Sequence, residues 1–499
     1  MGKYFDKLNE YCEKAAALTA VMNLVDYDTQ VTAPPEADEY TSKVMGILAD
    51  EYHALFTGKK AVKLIKKSLG EYKKGRLNPK ETVILKQYIR IHRQLMPIPS
   101  EEYREFKELT ARAVNVWAKA KKNKAFEDFA PMLEEIVKWK RLFAGYRCRQ
   151  GMKEYDVLLG DYEPGFNMEK LDAIFETVKK KVGPVVKMYA NNAALADETF
   201  DKAHFDKESM CRFCQFLSEY LGLDMEAAVV SESEHPFTMN IHKKDVRVTN
   251  NYSKGDFYGP VFSAIHETGH ALYEQGISDA FALTIVGEGT SMGMHEAMSR
   301  FYENMIGRNR AFWSKPLEKA KNIFPEQFAD VTEDCFFERM NKVECGPIRI
   351  DADELTYPFH VIIRYELEKK LISGIINVKD LKNEWNSLYK EYLGVEPDHD
   401  ACGVLQDVHW ATGEFGYFPS YLLGSAVAAQ IYAHLQKVMP VDEYLKEGRL
   451  DEIKKYLSGF IFRYGKSKKT GELLYKMTGE EFNINYYTDY LCGKFGKEQ

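Results

Sequence analysis

The segment VFSAIHETGHALYEQG, residues 261–276, contains an H-E-x-x-H motif. Its apolar residues recur at helical spacing between a proline and a glycine, so the segment is predicted to form a helix. In that helix, His266 and His270 lie one turn apart on one face, where two imidazoles can bind one Zn²⁺. Glu267 lies off the helix face that carries the two histidines, so it is placed to act as a general base. This arrangement is typical of zinc peptidases, and the alternative is a buried helix with two hydrogen-bonded histidines.

A zinc site of this kind needs a third ligand from elsewhere in the chain. Gly276 stands where the longer variant of the motif has a third histidine, so that variant is excluded. The segment 287–307 offers three glutamates, Glu288, Glu296 and Glu303. Glu296 is the preferred candidate, because it follows a glycine-rich turn and begins a run of apolar residues at helical spacing. Two histidines and one glutamate leave one position open, which is the catalytic form of a zinc site.

The composition indicates a large globular protein. The chain has 499 residues, of which 45% are hydrophobic and 29% are charged, and its net charge of −7 gives no sign of nucleic-acid binding. The longest uncharged run, Phe415 to His434, contains polar residues and is predicted to be a buried helix, with no membrane span and no secretory signal in the chain. The eight cysteines include one lone C-x-x-C pair, Cys211 and Cys214. They are predicted to be structural thiols of a cytoplasmic protein.

The predicted fold is mainly α, in one peptidase domain that spans residues 1–499. Within it we distinguish a helical N-terminal wall (1–195), a catalytic core (196–436) and C-terminal helices (437–499). Helical periodicity predicts a first helix that ends at the loop 33–35, and further helices near 38–70, 80–95, 100–123 and 127–150. The segment 155–166 is predicted to be a loop.

The segment HPFTMNIHKKDVRVTNNY, residues 235–252, has a different pattern. Apolar residues alternate on both sides of Lys243 and Lys244, which predicts a β-hairpin just before the H-E-x-x-H helix. A strand beside the metal can pair with the backbone of a peptide substrate. The alternative is an ordinary two-stranded ribbon.

Two later segments, 348–368 and 403–424, mix charged, polar and aromatic residues. They contain too many polar residues for an ordinary hydrophobic core and too many aromatic residues for an ordinary exposed surface. We interpret them as walls of the site, with a buried structural network as the alternative.

Several motifs occur together in a fixed order. They are HPF (235–237), DVRVT (245–249), HETGH (266–270), HE (295–296), IRIDAD (348–353) and GVLQDVHW (403–410). The set resembles the M32 metallocarboxypeptidases, the Taq-type family, and LVDYDTQVTAPP (24–35) and YDVLLGDYEPGF (155–166) extend the likeness to the N-terminal half. The sequence departs from the family at Ala297 and Met298, where Ser and Gln are usual, and at Tyr27, where Trp is expected.

The resemblance implies a large helical peptidase fold with a deep active-site groove and a small β-sheet beside the H-E-x-x-H helix. It implies a homodimer with one divalent metal per chain, zinc or possibly cobalt. It also implies an enzyme that removes single residues from the free C-termini of peptides, with broad preference and poor activity at proline.

The resemblance and the motif together give roles to individual residues. The metal ligands are predicted to be His266, His270 and Glu296. Glu267 is predicted to be the general base. A tetrahedral oxyanion needs hydrogen-bond donors, for which we predict His409 and Tyr421, with Tyr417 as the rival of Tyr421.

A carboxypeptidase must also recognise a free α-carboxylate, which a guanidinium binds through two parallel hydrogen bonds. Arg349, in the IRIDAD motif, is the first candidate. Arg247 is the alternative, although Asp245 is close enough in sequence to pair with it. His235 and Asp407 are candidates to orient the ligand imidazoles, and His235 also to contact the substrate.

Two other functions remain open from the sequence. The same metal site would serve an endopeptidase or a dipeptidyl peptidase, because H-E-x-x-H does not distinguish these activities. A different class is a helical peptide-binding scaffold whose catalytic site has decayed. The loss of Ser and Gln after Glu296 favours that class, and the intact HETGH segment argues against it.

Overall fold

The N-terminal part of the chain is helical, as predicted. The computed structural model describes residues 2–191, 200 and 203–496. Its first eight helices are α1 (Lys3–Val31), α2 (Asp38–Thr57), α3 (Lys59–Lys73), α4 (Pro79–Leu95), α5 (Ser100–Asn123), α6 (Ala130–Arg147), α7 (Glu154–Tyr162) and α8 (Met168–Asn191).

Two predictions for this part are wrong. The single helix predicted near 38–70 is two helices, because the chain turns at Gly58, where a Cβ would lie 2.8 Å from the carbonyl oxygen of Ala54. The loop predicted at 155–166 is mostly helix α7. Its glycine and proline suggested a loop, but Tyr155 and Leu158 are buried on the helix and stabilise it.

The middle of the chain carries the sheet that lies beside the site. Helix α9 (Lys207–Tyr220) precedes strands β1 (Ala228–Glu232), β2 (Thr238–His242) and β3 (Asp245–Asn250). The strand order is β1-β3-β2, with β2 antiparallel to β3 and β1 parallel to it. The predicted hairpin is therefore confirmed as β2 and β3. Strand β1 was not predicted, because AVVSE is short and has no alternating pattern.

The H-E-x-x-H segment forms helix α10 (Tyr258–Gln275), which lies among α9, the sheet and helix α11 (Met292–Arg300). Ser291 caps α11 by accepting a hydrogen bond from the backbone N–H of Met294. Glu296 thus lies in the second turn of α11. The chain continues from α11 as a π-helical segment, Phe301–Gly307.

The remaining helices complete the core. They are α12 (Pro316–Ile323), α13 (Glu333–Met340), α14 (Tyr357–Ser373), α15 (Leu381–Leu393), α16 (Pro419–Val438), α17 (Val441–Glu447), α18 (Leu450–Phe460), α19 (Thr470–Thr478) and α20 (Asn485–Phe495). Most of α16 is buried, which confirms the buried helix predicted from the uncharged run. Among the described residues, no helix is both long and apolar enough to span a membrane.

The hydrophobic core is divided unequally. One large cluster of buried side chains runs through α5–α20, whereas α1, α2, α3 and α4 share a smaller cluster with Ile285 and Val286. The division of the chain into wall, core and C-terminal helices stays a prediction. Its boundary at residues 195 and 196 lies outside the described residues.

Candidate metal and substrate site

Three ligand atoms converge at the interface of α10 and α11. The Nε2 atoms of His266 and His270 each lie 3.6 Å from Glu296 Oε2. These atoms are all within 4.8 Å of one another, and this cluster meets the requirements for a metal site. Two imidazole nitrogens and one carboxylate oxygen are a ligand set that suits zinc and other divalent ions. The donor atoms of these three residues therefore fit the metal that the sequence implies.

The third ligand is held close by two glycines. A Cβ at Gly269 of α10 would lie 2.7 Å from Ser299 Cα, so α11 can approach α10 only because this residue has no side chain. A Cβ at Gly424 of α16 would lie 2.6 Å from both Cβ and Cγ of Glu296. The side chain of Glu296 is thus placed by close backbone contact on two sides.

We expect the substitution Gly424→Ala to displace Glu296. The added methyl group overpacks the contact, which costs about 1–3 kcal/mol of folding free energy. Zinc affinity should fall together with the melting temperature. Gly459→Ala is the matched control, since nothing lies within 4 Å of a Cβ at that position. Unchanged zinc affinity in the Gly424 variant would show that this contact does not position the ligand.

Both ligand imidazoles are oriented by groups that the sequence analysis did not assign to them. His266 Nδ1 lies 2.8 Å from Glu303 Oε2, and His270 Nδ1 lies 2.6 Å from His295 Nδ1. The prediction that His235 and Asp407 orient these rings is therefore wrong. The glutamate that was a rival for the ligand role instead fixes the tautomer of His266.

Glu296 also has polar support despite the departure from the usual Ser-Gln pair. Ala297 and Met298 are fully buried and apolar. Arg300 Nε donates to Glu296 Oε1 at 2.7 Å, and Ser299 Oγ donates to Glu296 Oε2 at 3.2 Å. These two contacts orient the carboxylate without any group from positions 297 and 298.

Glu267 is buried and faces strand β2. Its Oε2 atom accepts a hydrogen bond of 2.7 Å from Thr238 Oγ1. Burial raises the pKa of Glu267 above its usual value. A carboxylate whose pKa is raised is a stronger base than an exposed one, so this environment suits proton abstraction.

Arg349 lines the groove and is held by two partners. Its Nε atom donates to Asp407 Oδ1 at 3.0 Å, and Nη1 donates to the hydroxyl oxygen of Tyr357 at 3.2 Å. On the other side, Asp407 Oδ2 accepts a 2.6 Å hydrogen bond from Nε of Arg364. Asp407 thus joins two guanidiniums and holds Arg349 at the groove wall.

His409 contacts Tyr421 in the same wall. His409 Nε2 lies 2.9 Å from the hydroxyl oxygen of Tyr421, and its ring stacks on Tyr417. Both tyrosines line the groove. His409 is not one of the described residues that line it. Burial, reinforced by the charge of Arg349, lowers the pKa of His409 to about 3. The imidazole is therefore neutral near pH 7. It is placed to orient Tyr421, so the direct oxyanion contact predicted for His409 is replaced by an indirect one.

The alternative carboxylate ligand lies away from the groove. Arg247 Nε and Nη2 donate to the two carboxylate oxygens of Asp245 at 3.0 and 3.1 Å, and the guanidinium packs on the ring of Tyr27. Neither Arg247 nor Asp245 is among the described residues that line the groove. The pairing foreseen for these two residues is confirmed, and of the two candidate guanidiniums Arg349 is the one that lines the groove.

The groove has a volume of about 1280 Å³ and runs past the metal-site cluster. Its lining includes Arg349 and His235, side chains of α1, and residues of the segment 283–292. The outer edge of β2 forms part of the wall. The groove is large enough for a peptide several residues long.

Comparison with known proteins identifies the family. The sequence profile of the carboxypeptidase Taq (M32) metallopeptidases matches residues 7–495. The chain belongs to this family. Carboxypeptidase 1 of Bacillus subtilis is 36% identical over 496 residues, which cover 99% of this chain and 97% of that protein. Membership makes the chain a hydrolase of the metallocarboxypeptidase class.

Solved structures agree with the profile. A Pyrococcus furiosus carboxypeptidase structure matches with a TM-score of 0.93 at 31% identity, covering 99% of each chain. An M32 carboxypeptidase from Deinococcus radiodurans R1 matches with a TM-score of 0.92 at 30% identity, again over 99% of each chain. The mainly helical fold with one small sheet is therefore the fold of this family.

Sequence reasoning missed several side chains of the site. Glu274, Thr238, Arg300 and Arg364 all contact predicted site residues or their partners. Glu274 and Arg300 carried a local signal, because Glu274 lies one turn beyond His270 and Arg300 lies one turn beyond Glu296 on the same helices. The others lie on elements whose packing a single sequence does not specify.

Proposed function

We propose that this chain is a metal-dependent carboxypeptidase that releases single amino acids from peptide C-termini with broad preference. The observation that carries the proposal is the placement of Arg349 in the groove that also holds His266, His270, Glu296 and Glu267. A guanidinium with free hydrogens beside a peptidase metal site is suited to bind the terminal carboxylate of a peptide.

The three ligand residues would hold one zinc ion per chain, with cobalt as the alternative. When bound, such an ion polarises the scissile carbonyl and makes water a better nucleophile near neutral pH. Glu303 and His295 form hydrogen bonds with the Nδ1 atoms of His266 and His270. The Nε2 lone pairs therefore remain directed at the metal position.

Glu267 acts as the general base. It takes a proton from the attacking water and later gives a proton to the leaving amine. Thr238 keeps Oε2 of this carboxylate in place. The tetrahedral oxyanion is stabilised by the hydroxyl of Tyr421, which His409 orients, and Tyr417 remains the rival donor.

Arg349 retains free hydrogen-bond capacity for a substrate. Asp407 occupies Nε and one Nη2 hydrogen, and Tyr357 occupies one Nη1 hydrogen. A guanidinium has five N–H groups, so one hydrogen remains on each Nη atom. These two hydrogens suit a bidentate contact with a terminal carboxylate. His235, which lines the same groove, is assigned a contact with the same end of the peptide.

The remaining part of the peptide lies along β2. The backbone N–H of Thr249 donates to the carbonyl oxygen of Phe237 at 2.9 Å, so by strand alternation the backbone groups of Thr238 and Asn240 point away from β3. Asn23 donates to the carbonyl oxygen of Asn240 at 2.8 Å. The backbone N–H and C=O of Thr238 and the N–H of Asn240 then serve an incoming peptide strand.

We further propose that the enzyme is a cytoplasmic homodimer that acts without nucleic acid or membrane. All eight cysteines are free thiols, as a reducing compartment favours. Light scattering on the purified protein tests the dimer, since a monomeric mass would contradict it.

Metal dependence is the first test of the proposed function. We expect purified protein to contain about one zinc or cobalt ion per chain and to lose peptidase activity on dialysis against a chelator. Adding zinc or cobalt should restore the activity. A protein that takes up no metal and cleaves no peptide would instead support the decayed-scaffold alternative.

A further inference from the structure

We propose that Glu274 and His295 form a hydrogen-bonded relay that fixes the tautomer of His270, and that Asn240 and Gly289 hold this relay in place. The proposal rests on the metal-dependent function proposed above, and it assigns positioning roles to residues outside the ligand set.

The proton positions along the relay follow from the acceptors at its ends. His295 Nε2 lies 2.7 Å from Glu274 Oε1, and His295 Nδ1 lies 2.6 Å from His270 Nδ1. A carboxylate accepts and does not donate, so His295 Nε2 carries a hydrogen. A neutral His295 then has a lone pair on Nδ1, and His270 must donate its Nδ1 hydrogen to it.

The result is the tautomer that a metal requires. His270 keeps its lone pair on Nε2, the atom that faces Glu296. The relay therefore stabilises the form of His270 that can bind a metal.

Glu274 is held by more than His295. It is 2% exposed, and its Oε1 atom accepts a 2.9 Å hydrogen bond from the backbone N–H of Gly289. Its Oε2 atom accepts a hydrogen bond from the side-chain amide of Asn240. Three donors thus fix a buried carboxylate, so its position is determined by the fold.

Gly289 also packs closely against His295. A Cβ at this position would lie 2.5 Å from Cδ2 of His295 and 3.0 Å from Cε1 of Tyr273. The ring of His295 is therefore packed directly against backbone. This packing restricts rotation of the ring, and its two hydrogen bonds restrict it further.

Two side chains of strand β2 each donate a hydrogen bond to a carboxylate of α10. Thr238 and Asn240 are two residues apart and point to the same face of the strand, where they donate to Glu267 and Glu274. These glutamates lie two turns apart on one side of the helix. The strand that offers its outer edge to the peptide thus also places the general base and the relay.

The test compares zinc affinity in the full-length protein by competition with a chromogenic chelator. His295→Phe keeps the ring and removes both nitrogens, and we expect it to weaken zinc binding about 10–100-fold. Glu274→Gln should weaken it less, in the same direction. His434→Phe is the matched control, because His434 Nε2 also bonds a neighbouring group, Tyr456, at 2.9 Å but lies on α16 away from the ligands.

A second readout separates positioning from general damage. The visible absorption of the cobalt-loaded protein should change in His295→Phe and Glu274→Gln and stay unchanged in His434→Phe. Zinc affinity and cobalt spectra equal to those of the unsubstituted protein in both relay variants would overturn the relay and leave the proposed function intact. A protein that binds no metal before any substitution would overturn both.

Discussion

Replacing Glu267 by Gln is expected to abolish most turnover while the metal stays bound. The amide keeps the size of the side chain and can still accept the hydrogen bond from Thr238, so the fold should be preserved. It cannot take a proton from water at neutral pH. Loss of a positioned general base lowers kcat by about 10²–10⁴-fold. Steady-state kinetics on a blocked dipeptide, together with metal analysis, measure both effects.

Glu267→Asp is the companion variant. It keeps a carboxylate but withdraws it by one methylene group, so its kcat should lie between those of the wild type and the Gln variant. Near-wild-type turnover in Glu267→Gln would contradict the assigned role. A variant that has lost its metal would show that Glu267 supports the ligands and would leave its role as a base unproved.

The second large effect is expected from Arg349→Ala. Removing a charged hydrogen-bond partner of the substrate carboxylate costs about 1.5–3 kcal/mol, which corresponds to a rise in KM of about 10–150-fold. The rate ratio between a peptide with a free C-terminus and its amide should fall towards one. Arg349→Lys keeps the charge and loses the bidentate geometry, so it should recover only part of the preference.

Arg247→Ala is the matched control for this experiment. It removes a guanidinium from the neighbouring strand that is paired with Asp245 and lies off the groove, so discrimination should not change. Asp407 keeps its hydrogen bond to Arg364 when Arg349 is removed, and melting temperatures report any loss of stability. If the Arg247 variant loses discrimination and the Arg349 variant does not, the carboxylate site is at Arg247.

The sequence predicts the centre of this site because its signals are local. The spacing of His266 and His270 and the flanking proline and glycine depend only on helix geometry. The identification of Glu296 needed one more step, since it rests on the glycine-rich turn before it, the apolar run after it and the family resemblance. Its arrangement with the two histidines depends on how closely α10 and α11 pack, and the glycines that allow this are not recognisable beforehand.

The incorrect predictions about the site concern contacts between distant residues. Asp407 looked like a partner for an imidazole, but Arg364, 43 residues away in sequence, competes for its second oxygen. His295 was read only as the neighbour of a ligand, although it lies against Glu274, 21 residues earlier. Such pairings are set by tertiary packing, and residue type and periodicity do not determine them.

The most direct test of the account is the hydrolysis of one peptide in two forms, with a free C-terminal carboxylate and with an amide, by the metal-loaded wild-type protein. Mass spectrometry of the products should show loss of single residues from the free C-terminus, almost no cleavage of the amide, and no products after chelation. Cleavage of both forms at internal bonds would identify an endopeptidase and contradict the role assigned to Arg349. Release of dipeptides would contradict single-residue removal.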